Sequence, residues 1–226
     1  MKLKALSLTL CAALMLSSCG SWKNTGYGAA IGTAAGAAIG LGIGHLAGNK
    51  AVGTAVGAAV GAGAGTLIGR KMDKAAEAAK KVEGAQVQEI TDVNGLPAVK
   101  VTFDSGILFG FNSSTLSDEA KASLANFAEV LKATPDADVA ILGHTDNVGT
   151  EKANQSVSEK RAKAVAKHLE AQGVESKQIK DVLGMNFSQP IASNDTEEGR
   201  AQNRRVEVYM YASQAMIDAA EAEAAK

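Results

Sequence analysis

The chain has 226 residues, 46% of them hydrophobic, and sets 23 Lys and Arg against 24 Asp and Glu for a formal net charge of −1. So even a balance lacks the basic excess of a nucleic-acid binder, and no nucleic-acid partner is expected. Only two cysteines, Cys11 and Cys19, are present, both near the start, so the rest of the chain must fold without disulfides.

Residues 1–18 read as a secretory signal, with Lys2 and Lys4 ahead of an apolar run from Ala5 to Leu16 and small residues before Cys19. That run is too short for a stable bilayer span. The stretch Leu16-Ser17-Ser18-Cys19 resembles the bacterial lipobox, in which the cysteine is acylated and becomes the new N-terminus. Lipidation of Cys19 is therefore expected, with residues 19–25 as a lipidated linker. In proteins of that kind a residue other than Asp after the cysteine, here Gly20, favours forwarding to the outer membrane. Outer-membrane lipid is thus an expected partner, because several acyl chains anchor firmly where one is marginal.

Glycine then recurs at 28, 32, 36, 40, 44 and 48 and, after a slip of phase, at 53, 57, 61, 65 and 69. A four-residue period puts these glycines on nearly one stripe of a helix, where another backbone can approach closely. In water each interior glycine costs such a helix about 1 kcal/mol against alanine, whereas hydrocarbon enforces internally hydrogen-bonded backbone. Residues 26–69 are accordingly expected to form a membrane-inserted helical hairpin, each arm near the ~20 residues of a bilayer span, turning at Asn49-Lys50. The pattern resembles glycine-zipper membrane modules and allows a homo-oligomer; a flexible spacer and a soluble zipper remain alternatives. His45, near the turn, is read as incidental.

Residues 70–84, rich in Ala, Lys and Glu, predict a solvated helical spacer, and Arg70, Lys71 and Lys74 are read as part of its soluble face. A globular domain is expected over 85–212. Alternating runs around Asn94-Gly95 predict a β-hairpin. Residues 117–133 carry a helical apolar stripe with Ser117 as cap and Pro135 as stop. The run "ADVAILG" predicts a buried strand, 157–172 a helix ended by Gly173, and "IKDVLGM" and "RRVEVYMY" two more strands, the last alternating Val206, Val208 and Met210 with Arg205, Glu207 and Tyr209. Strands alternating with helices imply an α/β (α+β) class with a partly parallel sheet. Residues 213–226 are expected to be a polar tail and frayed helix.

Chemistry concentrates in "GHTDNVG", where His144, Thr145 and Asp146 leave a strand between glycines. The chain's three histidines, His45, His144 and His168, form no paired zinc motif, so no metal or other cofactor is expected. No serine sits in a Gly-x-Ser-x-Gly elbow, and an enzyme is not expected. Arg161 lies on the apolar face marked by Val157, Val165 and Leu169. A guanidinium turned toward a core needs a partner; a structural salt bridge to Asp146, snorkelling to water, and a bound ligand all remain open on these residues alone.

Taken together, Gly143-His144-Thr145-Asp146, Gly149, Asn154, Ser158, Arg161, Ala162, Gly199-Arg200 and Asn203-Arg204-Arg205 resemble the OmpA-like peptidoglycan-binding domain over roughly residues 100–212. The resemblance implies a βαβαββ mixed sheet with helices on one face and, as partner, peptidoglycan, bound through the diaminopimelate of its stem peptide. It assigns the ligand's zwitterionic end to Asp146 and Arg161, with Thr145 and Asn154 as neighbours and Asn112 as a weaker candidate. A carboxylate suits the ammonium and a planar guanidinium the carboxylate. Val157 stands where leucine is usual and Asn186 where glycine is common, which touches a loop rather than the clamp. The expected role is an outer-membrane lipoprotein that tethers membrane to wall; the competing role is an envelope assembly or stress factor acting through zipper oligomers.

Overall fold

A computed structural model describes residues 60–92, 95–110 and 113–226. Helix α1 (Ala62–Ala79) is followed by strands β1 (Ala85–Thr91) and β2 (Pro97–Asp104), the short helix α2 (Ser105–Leu108), α3 (Asp118–Lys132), β3 (Ala137–Gly143), α4 (Glu151–Ala171), β4 (Ile179–Gly184), α5 (Glu197–Asn203), β5 (Arg205–Ala212) and α6 (Gln214–Ala224). The five strands form one sheet in the order β1-β2-β5-β3-β4. Only β3 and β4 run parallel, and helix α4 supplies the crossover that such a pair requires. The antiparallel hairpin β1–β2 opens the sheet, so β1 is added ahead of the implied order, and β2, α3, β3, α4, β4 and β5 then follow it as βαβαββ, with the short α5 between the last two strands. Asn94 of the expected turn lies outside the described residues, but Gly95 takes the left-handed φ of +78° that such a turn asks of it.

One sheet face is covered by helices. Val99, Val101, Phe103, Val139, Ile141, Val206, Val208 and Met210 pack there against Leu124, Phe127 and Leu131 of α3 and Ala162, Val165 and Leu169 of α4. Phe103 and Phe127 meet edge to face at 5.6 Å. Ser117 caps α3 as its sequence implies, accepting a hydrogen bond from the Ala120 amide at 3.0 Å.

Three expectations are corrected. Helix α1 runs unbroken through the boundary drawn at residues 69 and 70, and its buried positions, Ala64, Ile68, Met72, Ala75, Ala76 and Ala79, follow the helical repeat into the domain core. The last residues of the expected membrane hairpin therefore belong to a helix packed on the domain, and among the described residues no helix is long and apolar enough to cross a membrane. The rest of that hairpin, with Cys19 and His45, lies outside the described residues. The spacer over 70–84 is for most of its length the same packed helix. The tail is likewise no frayed end: Ser213 caps α6, whose Met216, Ile217 and Ala220 are buried. Helices α1 and α6 pack so closely that a Cβ on Gly63 would sit 3.0 Å from that of Ala224.

The approach of α4 to the sheet sets up everything near "GHTDNVG". A Cβ at Gly143 would fall 2.2 Å from the Ser158 carbonyl oxygen, and one at Gly184 would fall 2.6 Å from Glu159 and the Ser158 hydroxyl. The helix also starts at Glu151, earlier than the expected 157, with the Thr150 hydroxyl accepting from the Ala153 amide at 3.2 Å.

Because Ile68 is fully buried in the same core as the sheet, Ile68→Ala is expected to lower the domain's unfolding free energy by about 2–5 kcal/mol. Urea unfolding followed by far-UV circular dichroism checks this. A midpoint equal to the parent's would mean that α1 contributes nothing to the fold.

Candidate functional site

The turn after β3 is fixed from two sides. The His144 amide donates to the Arg205 carbonyl at 2.8 Å and the Thr145 amide to the Asn186 carbonyl at 2.9 Å. Asn186 adopts a φ of +54°, so asparagine here meets the left-handed conformation that glycine would otherwise supply. Asp146 turns its Oδ1 onto the Val148 amide at 3.0 Å, and Asn154 closes the loop by donating from Nδ2 to the Val148 carbonyl at 3.0 Å.

Arg161 and Asp146 share this end of the sheet, each only 7% exposed, yet they do not bond each other. Oδ2 of Asp146 accepts from Arg204 Nη1 at 2.6 Å, and Arg204 Nη2 reaches Glu197 at 2.8 Å. Arg161 instead donates from Nε to the Ser113 carbonyl at 3.1 Å, and its guanidinium carbon lies 5.2 Å from the centre of the Phe109 ring. Among the described residues no carboxylate forms an ion pair with it. Burial lowers the Arg161 pKa, the nearby Arg204 charge lowers it further, and Asp146 partly opposes them. The Thr145 hydroxyl is buried without a hydrogen-bond partner among the described residues. Arg204 is thus answered by Asp146 and Glu197, whereas Arg161 keeps only a carbonyl and a ring, so the missing anionic partner is that of Arg161.

Of the residues singled out from sequence, Thr145, Asp146, Asn154 and Arg161 come together at this end of the sheet, while Asn112 lies outside the described residues. The direct Asp146–Arg161 bridge left open above is not formed. Arg204 was legible as a motif position but not as the partner of Asp146, and Phe109 and Ser113 carried no signal that tied them to Arg161. Asn203 proves structural: its side chain bonds Ile191, Ala192 and Asn194 and so closes the loop ahead of α5. Among the described residues no group of histidine, cysteine and carboxylate side chains is arranged to hold a metal.

Behind the turn, on the sheet face without helices, lies a buried polar network. Glu207 accepts from Arg205 Nε at 2.7 Å and from the Tyr209 hydroxyl at 2.5 Å. His144, 1% exposed, has Nε2 3.4 Å from Glu207, an electrostatic contact longer than a hydrogen bond. Burial lowers the His144 pKa, against the pull of Glu207. For Glu207 burial acts upward, but His144, Arg205 and Lys100 outweigh it and hold the carboxyl well below the usual range.

With this geometry in view, residues 108–204 match the OmpA family and residues 1–73 match the YMGG-like Gly-zipper family. The chain thus carries an OmpA family domain behind a glycine-zipper segment. It is 45% identical over 111 residues to the peptidoglycan-binding protein ArfA of Mycobacterium bovis, covering 49% of this chain and 34% of that one. It is 43% identical over 108 residues to the probable lipoprotein YiaD of Escherichia coli, covering 48% of this chain and 46% of that one. The chain spans less than half the length of either curated relative. The solved cell wall anchor of the T6SS from Pseudomonas aeruginosa superposes with a TM-score of 0.52 at 27% identity, covering 63% of this chain and 97% of that one.

The network makes a pH prediction. The folded pKa of His144 lies below its ordinary 6.5, so below that pH the unfolded chain binds more protons than the folded one and stability falls on acidification. Replacing the imidazole removes this contribution. Between pH 6.5 and 4.5 the melting temperature of the parent is expected to drop more than that of His144→Gln, read by calorimetry; parallel curves would show His144 protonated in the fold.

Proposed function

We propose that this chain is an outer-membrane lipoprotein whose domain binds the diaminopimelate of the peptidoglycan stem peptide without any covalent step, tethering membrane to wall. The observation that carries the reading is Arg161, a buried guanidinium beside Asp146 that lacks a carboxylate of its own. A ligand carboxylate would complete it as a two-pronged pair. The ligand ammonium would share Asp146 with Arg204, since a carboxylate has about four acceptor positions and those two oxygens use one bond each here. Thr145 offers its unpaired hydroxyl, Asn154 holds the loop, and Asn112, next to Ser113, stands close in sequence to the Arg161 contact.

The match to ArfA, named as peptidoglycan-binding, and the likeness to a cell wall anchor support this reading. The name of the YiaD relative, a probable lipoprotein, supports the lipid anchor at Cys19. A zipper oligomer is compatible with the tether, since Gly61 and Gly65 leave open space beside α1.

The clamp is tested by sedimenting the full chain, in mild detergent, with insoluble peptidoglycan. Asp146→Ala and Arg161→Ala are each expected to weaken binding by about 2–5 kcal/mol while the domain stays folded. Arg161→Lys is expected to weaken it too, because lysine keeps the charge but loses the planar fork. Acetylating the side-chain amino group of the diaminopimelate removes the partner of Asp146 and is expected to lower affinity. A folded Arg161→Ala chain that sediments like the parent refutes the clamp.

The anchor has its own test. Cys19→Ala is expected to abolish incorporation of labelled fatty acid, and undiminished labelling would overturn the lipid assignment.

A further inference from the structure

A guanidinium offers a carboxylate a rigid two-pronged edge only while its plane is held still, because a freely turning side chain loses conformational entropy on binding. In Arg161 the guanidinium is already held at two points. Nε is spent on the Ser113 carbonyl and the guanidinium carbon lies over the Phe109 ring, which leaves the two terminal nitrogens as the edge for a ligand. Phe109 is itself anchored. Its amide donates to the Ser105 carbonyl at 2.8 Å, its backbone bridges Leu116, and its ring is buried. Phe109 and Ser113 therefore grip Arg161 twice, once by the ring and once by the carbonyl.

We infer that Phe109 is a positioning residue that fixes the guanidinium plane of Arg161 and thereby makes the site select a free carboxylate over the corresponding carboxamide. The selectivity follows from hydrogen-bond parity. A carboxylate presents two acceptors to two donors, whereas a carboxamide sets its own NH2 against one of them. That mismatch discriminates only if the fork cannot rotate away from it. The inference rests on the ligand reading proposed above and adds to it the residue that enforces the geometry.

The test titrates the full chain with a stem tripeptide bearing diaminopimelate, once as the free acid and once amidated at the side-chain carboxyl. The parent is expected to prefer the free acid by about tenfold or more. Phe109→Leu keeps an apolar side chain but loses the ring; it is expected to weaken free-acid binding by about fivefold and to reduce the preference to about threefold or less. Phe109→Tyr keeps the ring face and is expected to retain the preference. Phe109→Met serves in place of Phe109→Leu should the latter not fold. In an Arg161→Ala background the loss of the ring is expected to change affinity by less than about twofold, since there is no longer a guanidinium to position. Full retention of the preference in Phe109→Leu, or equal losses in the presence and absence of Arg161, overturns the inference while leaving the clamp intact. Unchanged binding by Arg161→Ala alone removes the clamp itself and the inference with it.

Discussion

The close seat of α4 on the ends of β3 and β4 is the constraint from which the candidate site follows. Gly143 and Gly184 face Ser158 and Glu159 at distances no Cβ could occupy without displacing the helix backbone. Any side chain at Gly143 would lift α4 off the sheet and carry Asn154 and Arg161 with it. The Ser158 hydroxyl uses the same proximity, accepting from the Asn186 amide at 3.2 Å, and the Asn186 carbonyl in turn holds the Thr145 amide. One short contact between helix and sheet thus reaches both halves of the site.

The sheet end is electrostatically two-sided. On the helix side Arg204 is matched by Asp146 and Glu197, while Arg161, where water is largely excluded, has no carboxylate bonded to it. On the far side Arg205 and Glu207 are matched at 2.7 Å, with Lys100 at 3.9 Å and His144 beside them. A compensated buried pair braces a fold, and removing one partner strands the other. An uncompensated guanidinium is more costly to the isolated protein and becomes favourable when a partner arrives. The two networks meet at residues 144–146 and 204–207, so the balanced one supports the backbone from which the unbalanced one projects.

How much of this could be read from the residues depended on where polarity and burial part company. The strands were legible because β-branched and aromatic residues alternate or run together there, and α3 because its apolar stripe is uninterrupted. The first turns of α4 were not, since Asn154 and Ser158 occupy inward positions where an apolar residue would have marked the stripe. Helix α6 was masked by its alanines and glutamates, among which Met216, Ile217 and Ala220 suffice to bury one side. In α1 the glycine period drew attention to one stripe and to lipid, while Ala64, Ile68 and Met72 on another stripe packed against protein. At the site, chain proximity pointed Asp146 toward Arg161, and the partner it takes is Arg204, 58 residues away. Residue types and the motif singled out charges that share one end of the sheet; only the three-dimensional arrangement decided how they pair.

The continuity of α1 bears on mechanics. Eighteen residues of helix form a stiff rod of about 27 Å, bound along its length to the core and touching α6 at its start. Force delivered through the N-terminal segment therefore does not first straighten a slack leash at residues 62–79. It meets a lever already seated in the domain, and the C-terminal helix lies in the path of that load.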